Sequence, residues 1–497
     1  MSDQDTPPGL DAVRDAMSSP ERVDLHDDWE AMSQVDPEPK PPATAPDLSH
    51  DALTLEMGRR QWNMDARFVQ QWHRWLFWDG TRWKRDEKLL HWTKAREYLR
   101  YRADEVLKWA EGVARNLTPA EAEKARAWAE RKAEMLRHKL TVTAVEELAR
   151  SNEASAAQMD EFDTDAMLLG TPGGTVDLRT GELRTARRGD MITRQTAVTP
   201  AEKGTQPKLW LAFLDEIFGG DQEIIDFIQR AAGYALTGQT NEHKLLFLYG
   251  TGRNGKSVFT NLLFWLLADY ARKAPAETFL NTQNAGHPTD IAGMQGARLV
   301  LGSELPRGKT WDESVIKDLT GGDPMTARFM RGDFFDFIPQ LKLFIAGNTQ
   351  PSFRGVDEAI RSRVVLVPFN VTIPKEKRDT KLTEKLKDEG PEILRWCLEG
   401  ADQWQRRGLD VPEQIEAASS EYFDAEDTVA VFLEEETTQD PTHFTPNADL
   451  HQRFTQWAEG QGLATWTATT LTKALAEKGM TPAKSNGRRG VRGLRLR

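Results

Sequence analysis

The sequence predicts a multidomain α/β protein, and three observations carry that prediction. Apolar runs at residues 245–249, 298–301, 341–346 and 364–368 alternate with helical stretches, as in a mainly parallel sheet covered on both faces. A glycine-rich octapeptide, GTGRNGKS at residues 250–257, stands between the first of these runs and a helical stretch at 258–267. The 497 residues are 39% apolar and 29% charged, with a mean hydropathy of -0.60, which is core material for about three folded units.

Residues 1–50 hold twelve acids and three bases and are rich in proline, with DPEPKPPATAP at 36–46. Such a composition buries too little apolar surface to offset chain entropy, so a disordered acidic arm is expected. The arm carries most of the net charge of -12, and the remainder is nearly neutral. An acidic total therefore does not argue against a polyanionic partner.

A folded α+β domain is expected over 51–205. It includes WLFWDGTRWKRDE at 75–87, alternating about Asp79-Gly80, a two-residue hairpin signal. Helical periodicity follows over 93–158, and GGTVDLRTGEL at 173–183 returns to short strands and tight turns. Arg82, Lys84 and Arg85 stand among aromatics, a pattern suited to single-stranded nucleic acid. A hairpin packed on its own core explains it more simply.

Residues 208–240 read as helices that lead into the first apolar strand, and the α/β core is expected over 206–425. DPTHFTPNAD at 440–449 reads as a linker. A small last unit over 426–497 has helical stretches at 450–459 and 468–478, then a basic Gly/Arg segment ending in alternating Leu and Arg. A winged helix-turn-helix fits this pattern. The last fourteen residues hold Lys484, Arg488, Arg489, Arg492, Arg495 and Arg497 without one acid, and Arg488, Arg489 and Arg492 are the candidate DNA contacts.

Several classes are excluded. No apolar run approaches the ~18 to 20 residues that span a bilayer, and the N-terminus lacks the features of a signal peptide. A cytoplasmic protein with no membrane partner is expected. Cys397 is the single cysteine, so there is no internal disulfide, and the nine histidines show no zinc spacing.

The chemistry centres on GTGRNGKS. Gly250, Thr251, Gly252, Arg253, Asn254 and Gly255 form a loop whose backbone N–H groups curl toward phosphate oxygens, aided by the positive end of the following helix. Lys256 is expected to reach the β and γ phosphates, and Ser257 to offer its hydroxyl to Mg²⁺. An enzyme also needs an acid at the end of a neighbouring strand. Glu304 is the candidate for holding the metal and orienting water, because it follows an apolar strand at the right distance downstream. Asn348, which ends the strand in LKLFIAGNTQ, suits a γ-phosphate or a lytic water, or else a plain turn. Arg363, with Arg361 in reserve, precedes a strand and suits a finger toward a neighbouring subunit's phosphate, or else a surface ion pair. MTARFMRGDFFDF at 325–337 alternates as a hairpin turning near residues 331–333, and its Arg328 and Arg331 are candidate grips on a sugar-phosphate backbone.

Together these residues resemble the superfamily 3 helicases, specifically the phage/plasmid primase-helicase family related to poxvirus primase-helicases. The resemblance runs from about residue 60 to the C-terminus. It rests on GTGRNGKS, the strand ending Gly302-Ser303-Glu304, TGGD at 320–323, the strand ending in Asn348, DEAIRSRVVLVPF at 357–369, and FDTDAMLLGTPGGTVDLRTGEL at 162–183 as a preface. It implies a hexameric AAA+ ring that uses ATP and Mg²⁺ to unwind DNA during replication of a phage, plasmid or other mobile element. Implied partners are single-stranded and forked DNA, further copies of the chain, and a separate primase or polymerase. Two departures stand out. Ser303 takes the place of the first of the paired acids common in such strands, which puts both metal and water duties on Glu304. Residues 1–50 are too few for a primase domain, and the Asp163/Asp165 pair lies in the preface, so intrinsic primase activity is not expected. An ATP-switched initiator or loader with little unwinding is the alternative.

Overall fold

The computed structural model describes residues 45–497 apart from 63, 251, 281–287, 303–310, 331, 349–357, 462, 464 and 486, with 288, 424–428, 430 and 477 described by backbone alone. Residues 1–44 of the expected acidic arm lie outside the described residues. The chain divides into two compact units, residues 1–63 with 88–153, and residues 64–87 with 154–497.

The first unit is helical: α1 (His50–Arg60), α2 (Leu90–Ala114), α3 (Pro119–Arg137) and α4 (Lys139–Arg150). Local chemistry sets the starts. Ser49 accepts from the Ala52 N–H at 3.3 Å to cap α1, and Thr118 with Glu121 forms a capping box on α3, with Pro119 in its first turn. Along α2 the buried positions Ala95, Leu99, Ala103, Val106 and Ala110 keep helical spacing. Trp109 meets Trp128 edge-on at 5.4 Å across α2 and α3. The fully buried Glu146 carboxylate accepts from Arg150 Nη2 at 2.6 Å.

The second unit begins with β1 (Ala66–Val69), β2 (Arg74–Trp78), β3 (Trp83–Arg85) and β4 (Ala156–Ala157), in sheet order β3-β2-β1-β4. The β2-β3 hairpin forms where the sequence places it, but its connection is four residues, 79–82, rather than two. The cause is local: Asp79 Oδ1 accepts from the backbone N–H groups of Thr81 and Arg82, each at 2.9 Å, an Asx turn that holds a wider loop. An antiparallel meander of β5 (Leu168–Thr171), β6 (Gly174–Asp177) and β7 (Glu182–Arg184) follows, then α5 (Lys208–Phe218) and α6 (Gln222–Leu236).

The core sheet is five-stranded and wholly parallel. Its elements are β8 (Leu245–Tyr249), α7 (Lys256–Leu267), β9 (Ala271–Ala274), α8 (Pro288–Ala292), β10 (Leu299–Gly302), α9 (Glu313–Gly321), the hairpin β11 (Met325–Arg328) and β12 (Phe334–Phe337), β13 (Lys342–Gly347), α10 (Glu358–Arg361) and β14 (Val364–Pro368), with strand order β14-β8-β13-β10-β9. Burial on both faces explains why the strands read as unbroken apolar runs. Leu246 and Leu248 pack with Trp210, Phe227 and Phe259, whereas Leu245 and Phe247 face Trp311, Ile316 and Ile360. At the sheet's entry edge the fully buried Arg298 and Lys342 answer carbonyls that α6 leaves unsatisfied. Arg298 Nη1 donates to Leu236 O at 2.6 Å and Lys342 Nζ to Thr237 O and, at 3.3 Å, Gln239 O. Burial holds the Lys342 ammonium well below the ordinary lysine range, and the neighbouring Arg298 charge adds to this.

Next come α11 (Leu382–Asp388), α12 (Gly390–Arg407) and α13 (Glu413–Glu436). Helices α6 and α12 cross at backbone contact. A Cβ on Gly233 would lie 2.1 Å from Ala401 N, and one on Gly400 would lie 2.0 Å from Gln229 O. Gly400→Ala is therefore expected to destabilise the protein by about 2 kcal/mol, the scale of an overpacked core, read as a lowered thermal midpoint by circular dichroism.

The chain closes with β15 (Thr437–Pro446), α14 (Asn447–Gly460), α15 (Ala468–Glu477), β16 (Thr481–Ser485) and β17 (Arg488–Leu496). Both helices fall where the periodicity predicts. The expected linker at 440–449 is corrected: it contributes most of β15, paired antiparallel to β17 in the order β15-β17-β16. Pro441 falls within the register shift between Asp440 and Phe444, on an edge strand, where a missing N–H is tolerated. Helix α13 runs unbroken past residue 426, where the sequence reading begins the last unit.

Candidate functional site

The glycine loop lies at the carboxyl end of β8, where the two neighbouring strands β14 and β13 also end: Tyr249 pairs with Pro368 on one side and Gly347 on the other. Three left-handed backbone geometries curl it. Gly252, Arg253 and Gly255 have φ of +95°, +58° and +84°, cheap for the two glycines and tolerated once by a side chain that points out. A Cβ on Gly255 would sit 2.5 Å from Ile217 Cγ2. The loop is tied down by buried Asn254, whose Nδ2 donates to Phe369 O at 2.9 Å, and by the Ile373 N–H, which donates to Arg253 O at 3.0 Å. Thr251 lies outside the described residues.

Helix α7 starts at Lys256 itself, so its first N–H groups open onto the loop. The buried Lys256 ammonium donates to Gly250 O at 2.7 Å, Gly347 O at 2.6 Å and Asn348 Oδ1 at 3.2 Å. Lys256 and Asn348, chosen from separate motifs, thus meet at one point. Ser257 is exposed on the first turn of α7, beside that point in sequence. Glu304 lies outside the described residues; β10, which precedes it, ends at Gly302. Burial, and then the charge of Glu421, raises the pKa of the Tyr249 phenol at the end of β8.

These residues fit a nucleotide with its metal. The loop is a backbone cradle that side chains would fill, since a Cβ on Gly250 would lie 2.3 Å from both Asn254 Nδ2 and Phe369 O. One cation and one exposed hydroxyl stand at its mouth, and the helix N-terminus adds donors.

Arg361 and Arg363 are not brought to this point in the same chain. Val364 pairs with Leu245, so both arginines lie at the opposite edge of the sheet, about 16 Å of strand away. Arg363 Nη1 donates to Ala359 O at 2.8 Å, and the Arg361 guanidinium lies over Phe423 at 5.8 Å, in a cavity also lined by Lys244, Glu358 and Ser419.

The β11-β12 hairpin pairs Arg328 with Phe334. Arg328 lies over the Phe334 ring at 4.9 Å, and Phe329 stacks on Phe335 at 5.3 Å. Arg331 lies outside the described residues. Sequence reasoning picked out the charges here and missed the exposed apolar set, Phe329, Met330 and Phe334. Their alternation with buried Ala327 and half-buried Phe335 is the signal that could have found them. Arg488, Arg489 and Arg492 are exposed on β17, while Val491 and Leu494 of the same strand are buried in the last unit's core.

Comparison with known proteins gives the following. A family described as D5 N terminal like matches residues 56–219, and a family described as of unknown function matches residues 248–363. The protein "Putative helicase 022R" of Frog virus 3 (isolate Goorha) is 28% identical over 276 residues, covering 51% of this chain and 28% of that protein. "Putative helicase L207/L206" of Acanthamoeba polyphaga mimivirus is 25% identical over 285 residues, covering 52% of this chain and 29% of that protein. The match thus spans less than a third of these relatives' length. Among solved structures, the apo structure of the NrS-1 C terminal region is 11% identical, covers 71% of this chain and 89% of that chain, and gives a TM-score of 0.41. The part of the chain before the glycine loop thus matches a D5 N terminal like family, and about half of the sequence aligns with viral proteins named as helicases.

Proposed function

We propose that the chain is a superfamily 3 DNA helicase, an AAA+ ATPase that works as a homo-hexamer on single-stranded and forked DNA beside a separate primase or polymerase. The convergence of Lys256, the glycine loop and Asn348 at one end of a parallel sheet carries this reading. Lys256 holds the β and γ phosphates, Ser257 faces the metal, Glu304 orients the attacking water, and Asn348 positions Lys256 and the γ-phosphate. Bound Mg²⁺ neutralises phosphate charge. The remoteness of Arg363 from its own loop supports a finger that serves the neighbouring subunit, as a head-to-tail ring requires.

Two surfaces take the DNA in this reading. Arg328 and Arg331 of the β11-β12 hairpin hold backbone phosphates, and the exposed Phe329 and Phe334 beside them offer base-stacking faces. The last unit is read as a winged helix whose wing is β16-β17, an assignment supported by its helix and strand order. Strand β17 is central in its sheet, so deleting residues 480–497 would remove core residues along with charge. Substitution is the cleaner test. Arg488→Gln, Arg489→Gln and Arg492→Gln together are expected to weaken duplex binding and to lower the slope of log K against log[salt] by about 2.7, measured by anisotropy.

Strand displacement on a forked duplex tests the function as a whole. Release of the displaced strand is expected to need ATP and to vanish in Lys256→Ala. ATP-dependent assembly on DNA without displacement would favour the initiator or loader instead.

A further inference from the structure

Strand alternation places Arg74 and Arg85 on the face that carries Leu76 and Trp83. Leu76 and Trp83 are fully buried, Arg74 is exposed, and Arg85 reaches solvent while its guanidinium is partly covered by Trp72. The Arg85 guanidinium lies over Trp72 at 4.5 Å, and Trp72 meets Phe162 at 5.8 Å. Beside Phe162 is Asp163, whose Oδ2 is 3.8 Å from Arg194 Nε. Arg194 in turn donates to Asp269 O at 2.8 Å and Gln295 O at 2.7 Å, and so lies across the approach to β9, whose second residue is Arg272. Contacts from three distant segments thus link Arg85, with Arg74 two positions from its strand partner Leu76, to Arg194 and the start of β9, which holds Arg272.

Two acids border these arginines, Asp163 against Arg194 and Asp269 acting on Arg272, and both are shared with other donors. Asp163 accepts from the Thr193 N–H at 2.8 Å and from the Thr193 hydroxyl, and Asp269 accepts from Arg82 and, at 3.2 Å, from the Gln195 N–H. Glu87 is the remaining carboxylate acting on Arg85. Arg272 donates to Ala271 O at 2.8 Å, its own neighbour's carbonyl. The result is an excess of like charge. Burial first, and then the charges of Arg194 and Arg74, hold Arg85 below the ordinary arginine value; burial and then Arg194, with Arg85 adding to them against Asp269, do the same for Arg272. Such repulsion is relieved by an anion with more than one charge.

We infer that Arg74, Arg85, Arg194 and Arg272 form a third binding site for a phosphodiester strand, on the part of the chain that precedes and flanks the parallel sheet. The site rests on the reading of the chain as a DNA motor and adds a contact remote in sequence from the hairpin and the last unit. More than one guanidinium in this neighbourhood suits the phosphates of a strand, and the flat Arg85–Trp72 stack suits an adjoining base, for which a free polyphosphate has no counterpart.

The test is binding of fluorescein-labelled oligothymidylate by the full chain without nucleotide, over a salt series. Arg194 is left intact because its hydrogen bonds hold the fold. Arg85→Gln with Arg272→Gln is expected to weaken binding roughly tenfold and to lower the salt slope by about 1.4, with the thermal midpoint unmoved. Arg74→Gln alone, at an exposed position, is expected to lower the slope by about 0.7 and serves if the double variant melts early. Unchanged slopes in folded variants, with wild-type binding intact, overturn this site alone. A wild-type chain that binds no oligothymidylate contradicts the motor reading and the site with it. Inorganic triphosphate supplies the other arm: binding to Lys256→Ala that disappears when the Arg85 and Arg272 changes are added, with oligothymidylate affinity unchanged, assigns the cluster to free polyphosphate and also overturns the inference.

Discussion

Lys256→Ala is expected to abolish ATP hydrolysis, by at least about 10²-fold and to the limit of a phosphate-release assay. In the structure this ammonium bridges the loop, at Gly250 O, to the end of β13, at Gly347 O and Asn348. In the proposed function it exchanges those oxygens for phosphate oxygens as charge develops on them. The same contacts imply a structural cost, because two carbonyls lose a buried donor, about 1 to 3 kcal/mol of stability. The thermal midpoint is therefore measured beside activity, so that lost chemistry is separated from lost fold. Glu304→Gln behaves differently in this account. It retains nucleotide binding, since charge compensation stays with Lys256, and loses turnover. Wild-type turnover in Glu304→Gln would remove Glu304 from its role.

Mixing two inactive chains is expected to restore activity. Arg363 lies at the sheet edge opposite its own loop, so within one chain it cannot touch a phosphate held by Lys256. Rings of Arg363→Ala alone or of Lys256→Ala alone lack one charge at every interface, and each is expected to be nearly inactive. In mixed rings an Arg363→Ala subunit supplies an intact Lys256 to a neighbour's intact Arg363, and a fraction of the sites is rebuilt. Energy transfer between labelled variants first establishes subunit exchange. Absence of rescue despite exchange would remove both the finger and the ring.

How far the sequence disclosed this arrangement depended on how local the interactions are. The strands β8, β10, β13 and β14 were legible because both faces are buried, which leaves unbroken apolar runs. The glycine loop was legible because its spacing follows from backbone geometry. Strand β9, four residues reading Ala-Arg-Lys-Ala at the sheet edge, carries no such pattern, and β15 hid its pairing behind Pro441 and a register shift. The Asn254 anchor on Phe369 joins residues 115 positions apart, and its logic appears only once β14 is known to lie beside β8. The arginine patch has the same origin. Arg85 taken among its sequence neighbours suited single-stranded nucleic acid or, more simply, a hairpin packed on its own core, and its relation to Arg194 and Arg272 arises only through tertiary packing.

The central claim, that this site hydrolyses ATP in the service of DNA, is tested most directly by one measurement: the steady-state ATPase rate of the full chain with and without single-stranded DNA. The account predicts hydrolysis that rises several-fold on adding oligothymidylate, falls back as salt weakens the phosphate contacts, and is absent from Lys256→Ala. A rate that ignores DNA at every salt concentration, or that survives the loss of Lys256, would contradict it.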